Sequence, residues 1–269
     1  MTDVNVKAAR DGATTLAMPA FSFNDVTDRR ERLILMQQAV NDGASAIAQN
    51  WTSFSRTLAR FPWLSPANIL LVMAQHPEAR LLASRRRWMS AERVALQRGI
   101  AVLAPVLRHS SNPDGSKLWR NGRPVVEATR HRPASVFEYA ATAGAPVVLP
   151  WERLSGAPRP GFVNDLVAAA GALGFAVEVR AGASDKRRVL SLGEEPTDAG
   201  SVRALARAVG VAAGAGEGAD LFAFALCQAN GLVAPMPALP EAPWPAVVAC
   251  RRALREVLGS TRFVNLLGV

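Results

Sequence analysis

Three arginines beside an indole, Arg85-Arg86-Arg87-Trp88, are the densest patch of binding chemistry in the sequence. Guanidinium forks pair phosphate oxygens two at a time, and an indole face offers a stacking platform for a base. Arg93 and Arg98 follow within a few residues. A longer basic series comes next: Arg108, His109, Lys117, Arg120, Arg123, Arg130 and Arg132, with Trp119 between Lys117 and Arg120. Trp63 precedes both groups, in a loop where an indole is expected to be partly exposed. The charge count singles out the same stretch. Residues 61–135 hold 12 lysines and arginines against 4 acids, while the rest of the chain is close to neutral, for a total of +9. A charge excess confined to one segment is the footprint expected for a polyanion rather than a generally solubilising surface. Arginine outnumbers lysine 28 to 3, which points to a GC-rich bacterial genome but does not account for the scarcity of acids in that one segment.

Groups suited to catalysis are sparse. The three histidines are His76, His109 and His131, and Cys227 and Cys250 are far apart with no Cys-x-x-Cys pair, so neither a zinc knuckle nor a redox motif is supported. The sequence lacks a phosphate loop, a G-x-S-x-G elbow and a glycine-rich dinucleotide turn. Glu92, Asp114, Glu127 and Glu138 are acids without a spaced cluster, a poor basis for a Mg²⁺ nuclease. The expectation is a protein with no metal, no cofactor and no catalytic residue. The absence of a long apolar run and of an apolar leader points to a cytoplasmic protein with no membrane partner.

The elements that must position the basic groups can be read from periodicity. A helix is expected from Asp25 or Thr27, with Leu33, Met36, Val40 and Ile47 on one face and Gly43 as a break or bend. Trp51, Phe54 and Leu58 continue an apolar helical face, as core aromatics. Ser65 caps a helix that starts at Pro66 and ends at Pro77. A short helix over Arg85 to Arg93 puts Trp88 underneath as an anchor, with Arg86, Arg87 and Arg93 projecting around it. IAVLAPVLRH is a strand, Asn112-Pro113-Asp114-Gly115 a turn, Asn121-Gly122 a second turn, and RHRPASVFEYA a further strand. Pro- and Gly-rich residues 144–161 form the best boundary. Beyond them the pattern reads helix, two strands, helix, helix, a proline-rich link over residues 235–245 and a last helix over residues 247–258.

Ser65 and Asn68 at a helix start, Gln75-x-Pro77 at its end, Trp88, then Arg98-Gly99 before an apolar strand with Ala104-Pro105, resemble the N-terminal domain of the ArdC-type antirestriction proteins. That domain binds single-stranded DNA and belongs to plasmids and other mobile elements. SVFEYAATAGAPVVLP is similar to a later strand of that family, with Glu138 in place of its acid and Ala141 in place of its Gln. The resemblance covers residues 51–150. For the second half it implies a zinc-peptidase-like domain whose helix carries His-Glu-x-x-His. In this chain Arg207, Ala208 and Val211 stand at those positions, so a degenerate, inactive domain is expected.

The combined expectation is an α+β protein. Its N-terminal helices pack with a small antiparallel sheet, and a smaller α+β zincin-like domain without the metal motif follows. The expected segments are a flexible arm over residues 1–24, a DNA-binding domain over 25–150, the degenerate domain over 151–234, and a proline-rich link with a C-terminal helix over 235–269. The expected ligand is single-stranded DNA, with duplex DNA as a second form. Its contacts are expected from Trp63, Ser65, Asn68, Arg85, Arg86, Arg87, Trp88, Arg93, Arg98, Arg108, Lys117, Trp119, Arg120 and Arg123. For Asn68 a local side-chain to backbone bond competes with that role unless the family's binding surface carries over. The rival reading is a protein-interaction module that grips a partner through the second half.

Overall fold

The computed structural model describes residues 23, 26–96, 98–120, 123–147, 157–179, 188–192 and 198–260. The protein is α+β, with eight α-helices and nine strands among these residues. The chain begins its regular structure with three helices: α1 (Arg29–Ser45), α2 (Trp51–Arg60) and α3 (Pro66–Gln75). Asp28 caps α1 through a 2.7 Å bond accepted from the Glu31 amide, slightly later than the sequence suggested. The helix runs through Gly43 without a break. A Cβ at that position would lie 3.2 Å from Leu70 Cδ2, so the glycine serves the close approach of α1 to α3 rather than a bend. Ser65 caps α3 as expected, accepting from the Asn68 amide at 3.3 Å.

After β1 (Leu82–Ala83), α4 (Arg85–Ser90) and β2 (Arg93–Ala95), the chain enters two long strands, β3 (Ile100–His109) and β6 (Val126–Glu138). Between them lies the small hairpin β4 (Trp119–Arg120) and β5 (Arg123–Pro124), and after them β7 (Thr142–Gly144). The sheet order is β1-β6-β3, all antiparallel, with β2 paired to β7 separately. Among the described residues one edge of β3 has no partner strand, and it is closed by amide side chains from α3. Asn68 donates to the Leu103 carbonyl at 3.0 Å and accepts from its amide at 2.8 Å. Gln75 does the same for Ala101, at 2.9 Å in both directions. A planar carboxamide carries a donor and an acceptor side by side, as a neighbouring strand would.

The second half comprises α5 (Phe162–Ala172), the parallel pair β8 (Ala176–Val179) and β9 (Val189–Leu192), then α6 (Ala199–Ala212), α7 (Ala219–Ala229) and α8 (Pro243–Ser260). The last helix starts earlier than residue 247 because prolines in a first turn cost no needed amide donor. At Gly210 a Cβ would lie 2.7 Å from Phe222 Cδ1, so α6 and α7 pack in near-contact there. The expected boundary after residue 150 falls outside the described residues. The hydrophobic core is nevertheless continuous across it: Met36, Phe54, Leu71, Leu205, Phe222 and Leu254 belong to one cluster. The Trp51 indole N–H donates to the Pro237 carbonyl at 2.8 Å, and Arg251 donates to the Trp63 carbonyl at 2.8 Å, tying the two halves by polar contacts as well. Of the segment expected as a flexible arm, only Phe23 is described, and it is buried in the core. Among the described residues no helix is long and apolar enough to cross a membrane.

Candidate nucleic-acid interface

The strands β3 and β6 are much longer than the core they serve. From Ile100 to Leu103, β3 is buried, whereas from Pro105 onward most of its residues are exposed, and β6 is exposed from Val126 to Arg132. The distal parts of both strands therefore form an antiparallel arm with solvent on both faces. Its tip carries the Asn112 to Ser116 turn. There the Gly115 amide donates to the Asn112 carbonyl at 2.9 Å, and Gly115 takes φ +83°, which a residue without Cβ adopts at little cost. Asp114 accepts from the Ser116 hydroxyl at 2.7 Å and from its amide, which holds its carboxyl below the usual carboxylate range.

Cross-strand register gives the arm its chemistry. Arg132 stands opposite Ala104 and Arg130 opposite Val106, and beyond a bulge Arg108 stands opposite Glu127. Residue spacing of two puts Arg130 and Arg132 on the same face. The bulge at Val106/Leu107 leaves Thr129 unpaired in the register, with its hydroxyl donating to the Val106 carbonyl at 3.3 Å. Alternation along β3 puts Arg108 on the face of Ala104 and Val106, and so of Arg132 and Arg130 opposite them, while the bulge turns Glu127 onto that face opposite Arg108. Residues 104–134 hold 6 lysines and arginines against 2 acids. Trp119 is 59% exposed, and Leu107 and Val126 of the same arm are exposed as well. Lys117 is exposed and pairs in the backbone with Ser111. Arg120 and Arg123 face each other across the β4-β5 hairpin, and their side chains lie outside the described residues.

The second basic group surrounds α4. Ser84 caps this helix, accepting from the Arg87 amide at 3.3 Å. Arg85, Arg86 and Arg87 are exposed, and the Arg85 guanidinium lies 5.2 Å from the centre of the Phe137 ring. Arg98 is exposed, just before β3. Along β6 the two groups are separated by roughly 15–25 Å, given a rise of about 3.3 Å per residue from Phe137 to Arg130.

Four of the residues expected to contact DNA do other work. Trp88 is 1% exposed and its indole donates to the Phe137 carbonyl at 2.8 Å, so its face cannot stack a base. Arg93 does not project around it. It is 5% exposed and donates to Thr142 Oγ1 and to the carbonyls of Thr142, Gly144 and Ala145, with its guanidinium 4.2 Å from the centre of the Tyr139 ring. This clamp fixes β7 to β2 by its end-on carbonyls, a role a run of arginines in the sequence does not reveal. Asn68 is buried and spent on β3, and Ser65 is a helix cap. Trp63 is half-buried, its ring edge-on to Phe61 at 5.8 Å.

In the second half, the positions expected to carry metal ligands do not fit a metal. Arg207 forms a 2.6 Å ion pair with Asp220, Ala208 has no donor atom, and Val211 presents methyl groups that are 51% exposed. Among the described residues no three His, Cys, Asp or Glu side chains stand together as a metal site.

The fold and the arm define an α+β protein with an exposed basic β-ribbon. No family model matches the chain, and no curated protein matches it. Among solved structures it is similar to the metal-free crystal structure of the antirestriction protein ArdC from plasmid R388, with 15% identity and a TM-score of 0.42. The match covers 87% of this chain and 96% of that one.

Proposed function

We propose that this protein binds nucleic acid through the β3-β6 arm and the α4 arginines, with single-stranded DNA as the preferred form, and that it does so without catalysis. The observation that carries the reading is the arm itself: a two-stranded ribbon, solvent-exposed on both faces, with Arg108, Arg130 and Arg132 on one face and an exposed Trp119 in its hairpin. A ribbon that contributes little to the core has no structural need for that charge. Guanidiniums supply the phosphate term common to all nucleic acids, and an open indole supplies stacking that only unpaired bases accept. The sequence resemblance over residues 51–150 implies the same ligand and an antirestriction role in a bacterial cytoplasm, on a mobile element. Lack of metal-ligating side chains at Arg207, Ala208 and Val211 supports the non-catalytic part of the reading.

A salt-dependent titration with single-stranded DNA, duplex DNA and RNA of equal length tests it. The double variant Arg130→Ala, Arg132→Ala, and separately Arg86→Ala, Arg87→Ala, should each flatten the plot of log K against log salt by about 0.7 per lost contact on a single strand. An unchanged slope in both transfers the weight to the interaction-module reading. That alternative has its own support in the exposed apolar side chains Val211, Val233 and Leu239 of the second half.

A further inference from the structure

A cleft of about 240 Å³ lies between α6, α7 and the proline-rich segment 234–238, on the side of the molecule where the metal motif is missing. Its floor is apolar, with the buried Phe224 and Ala223 of α7 and Ala234, and Pro235 and Met236 line it as well. Its rim holds three charged groups, Arg203 and Arg207 of α6 and Asp220 of α7. Arg203 and Arg207 are one helical turn apart, an i, i+4 pair of like charges that repel unless an anion lies between them. Asp220 answers only part of this. It engages Arg207 through Nε alone, at 2.6 Å, and Arg203 spends Nη1 on the Val233 carbonyl at 3.2 Å. Among the described residues the remaining guanidinium nitrogens of both arginines have no protein partner, and guanidinium forks are the side-chain geometry that best receives a carboxylate.

We propose that this cleft is a binding site for a small carboxylate with an apolar or aromatic body. Two cations and one anion leave the rim with a single positive charge, which matches a monoanion. A dianionic phosphate would bring its second charge against Asp220. The apolar floor accepts a ring or branched side chain, and the volume lies just below the usual range of ligand pockets, which fits a small ligand and excludes a large cofactor. The proline-rich wall is held on both sides, by Arg203 at Val233 and by the Trp51 indole at Pro237, so the cleft is formed before a ligand enters.

The site is tested on the full chain by calorimetric titration with N-acetyl-L-phenylalanine, its carboxamide and phenyl phosphate. The carboxylate is expected to bind saturably, one per chain, and the carboxamide roughly 10-fold or more weakly, since the charge-assisted bonds are the difference between them. Arg203→Gln and Arg207→Gln should each weaken the carboxylate. Asp220→Asn should tighten it and admit phenyl phosphate, because the competing carboxylate is gone. These side chains lie at the surface, and thermal unfolding of each variant checks that the fold is retained. Equal affinity for carboxylate and carboxamide, failure of the carboxylate to saturate at millimolar concentration, or indifference to all three substitutions would overturn the proposal. The carboxylate-to-carboxamide ratio is read on the unmodified protein, so it decides the matter even where a variant folds poorly.

Discussion

Asn68 separates a positioning role from a binding role, because its sequence context suits both. Replacing it with Ala removes the carboxamide that pairs with both backbone groups of Leu103, at 2.8 and 3.0 Å, and leaves a buried amide and a buried carbonyl without partners. Each orphaned group costs about 1–3 kcal/mol, so Asn68→Ala should lose roughly 2–6 kcal/mol of a total stability on the order of 5–15 kcal/mol. Gln75 does the same for Ala101 but is half-buried, so water can partly replace it and Gln75→Ala should cost less. The double variant should deviate from additivity, since both amides hold the same strand edge. Urea unfolding followed by far-UV circular dichroism measures all three. At a temperature where Asn68→Ala is fully folded, its affinity for single-stranded DNA should equal that of the parent protein. A variant of parental stability with weakened DNA binding would refute the reasoning and return Asn68 to the binding surface.

Arg93→Lys should destabilise the protein by about 2–4 kcal/mol, because an ammonium cannot reproduce the planar fork that reaches Thr142 and Gly144, while the salt slope of DNA binding stays unchanged; denaturation and titration of the same variant check both. Burial pushes the Cys227 thiol up to about 12 and the Cys250 thiol upward as well. Unfolded thiols ionise near pH 8.5, so above that pH the unfolded state binds fewer protons than the folded one and stability should fall by about 1.4 kcal/mol per pH unit for each thiol, until the folded thiol itself ionises. Both cysteines should accordingly resist a thiol reagent at pH 8 until denaturant is added. Elemental analysis of the purified protein should find no stoichiometric zinc, since Arg207, Ala208 and Val211 offer no ligand set; one zinc per chain would mean a site elsewhere.

Much of the fold was legible because periodicity and caps are local. Ser65-Pro66 marked the start of α3, Gly99 the entry to β3, and the apolar spacing of Trp51, Phe54 and Leu58 the buried face of α2. The basic segment was legible as charge. What the sequence hid was depth and register. Arg86 and Arg93 look alike in a string of arginines, but one is in solvent and the other clamps three strand-end carbonyls, a difference set by where β7 returns alongside β2. The alternation of Arg130 and Arg132 becomes meaningful only because β6 outruns the core, and Arg108 joins them through the cross-strand register of Ala104 and Val106, which no local signal announces. The continuity of the core across the two halves was hidden for a related reason: amphipathic helices show that a face is buried, but not against which partner, and α2 lies against α7.

Trp119 carries the claim of single-strand preference, because phosphate contacts alone do not distinguish a strand from a duplex. It is 59% exposed, so Trp119→Ala should fold normally. Stacking on an aromatic side chain is worth about 1–3 kcal/mol per base, which is roughly 5- to 150-fold in affinity. Titration of the parent protein and Trp119→Ala with oligo-dT and with a duplex of the same length, at matched salt, should show a loss of that size for oligo-dT and none for the duplex. The part of the tryptophan fluorescence quenched by oligo-dT should disappear with the substitution. Unchanged oligo-dT affinity in Trp119→Ala, together with duplex competing as well as single strand, would contradict the account and leave a general polyanion-binding surface.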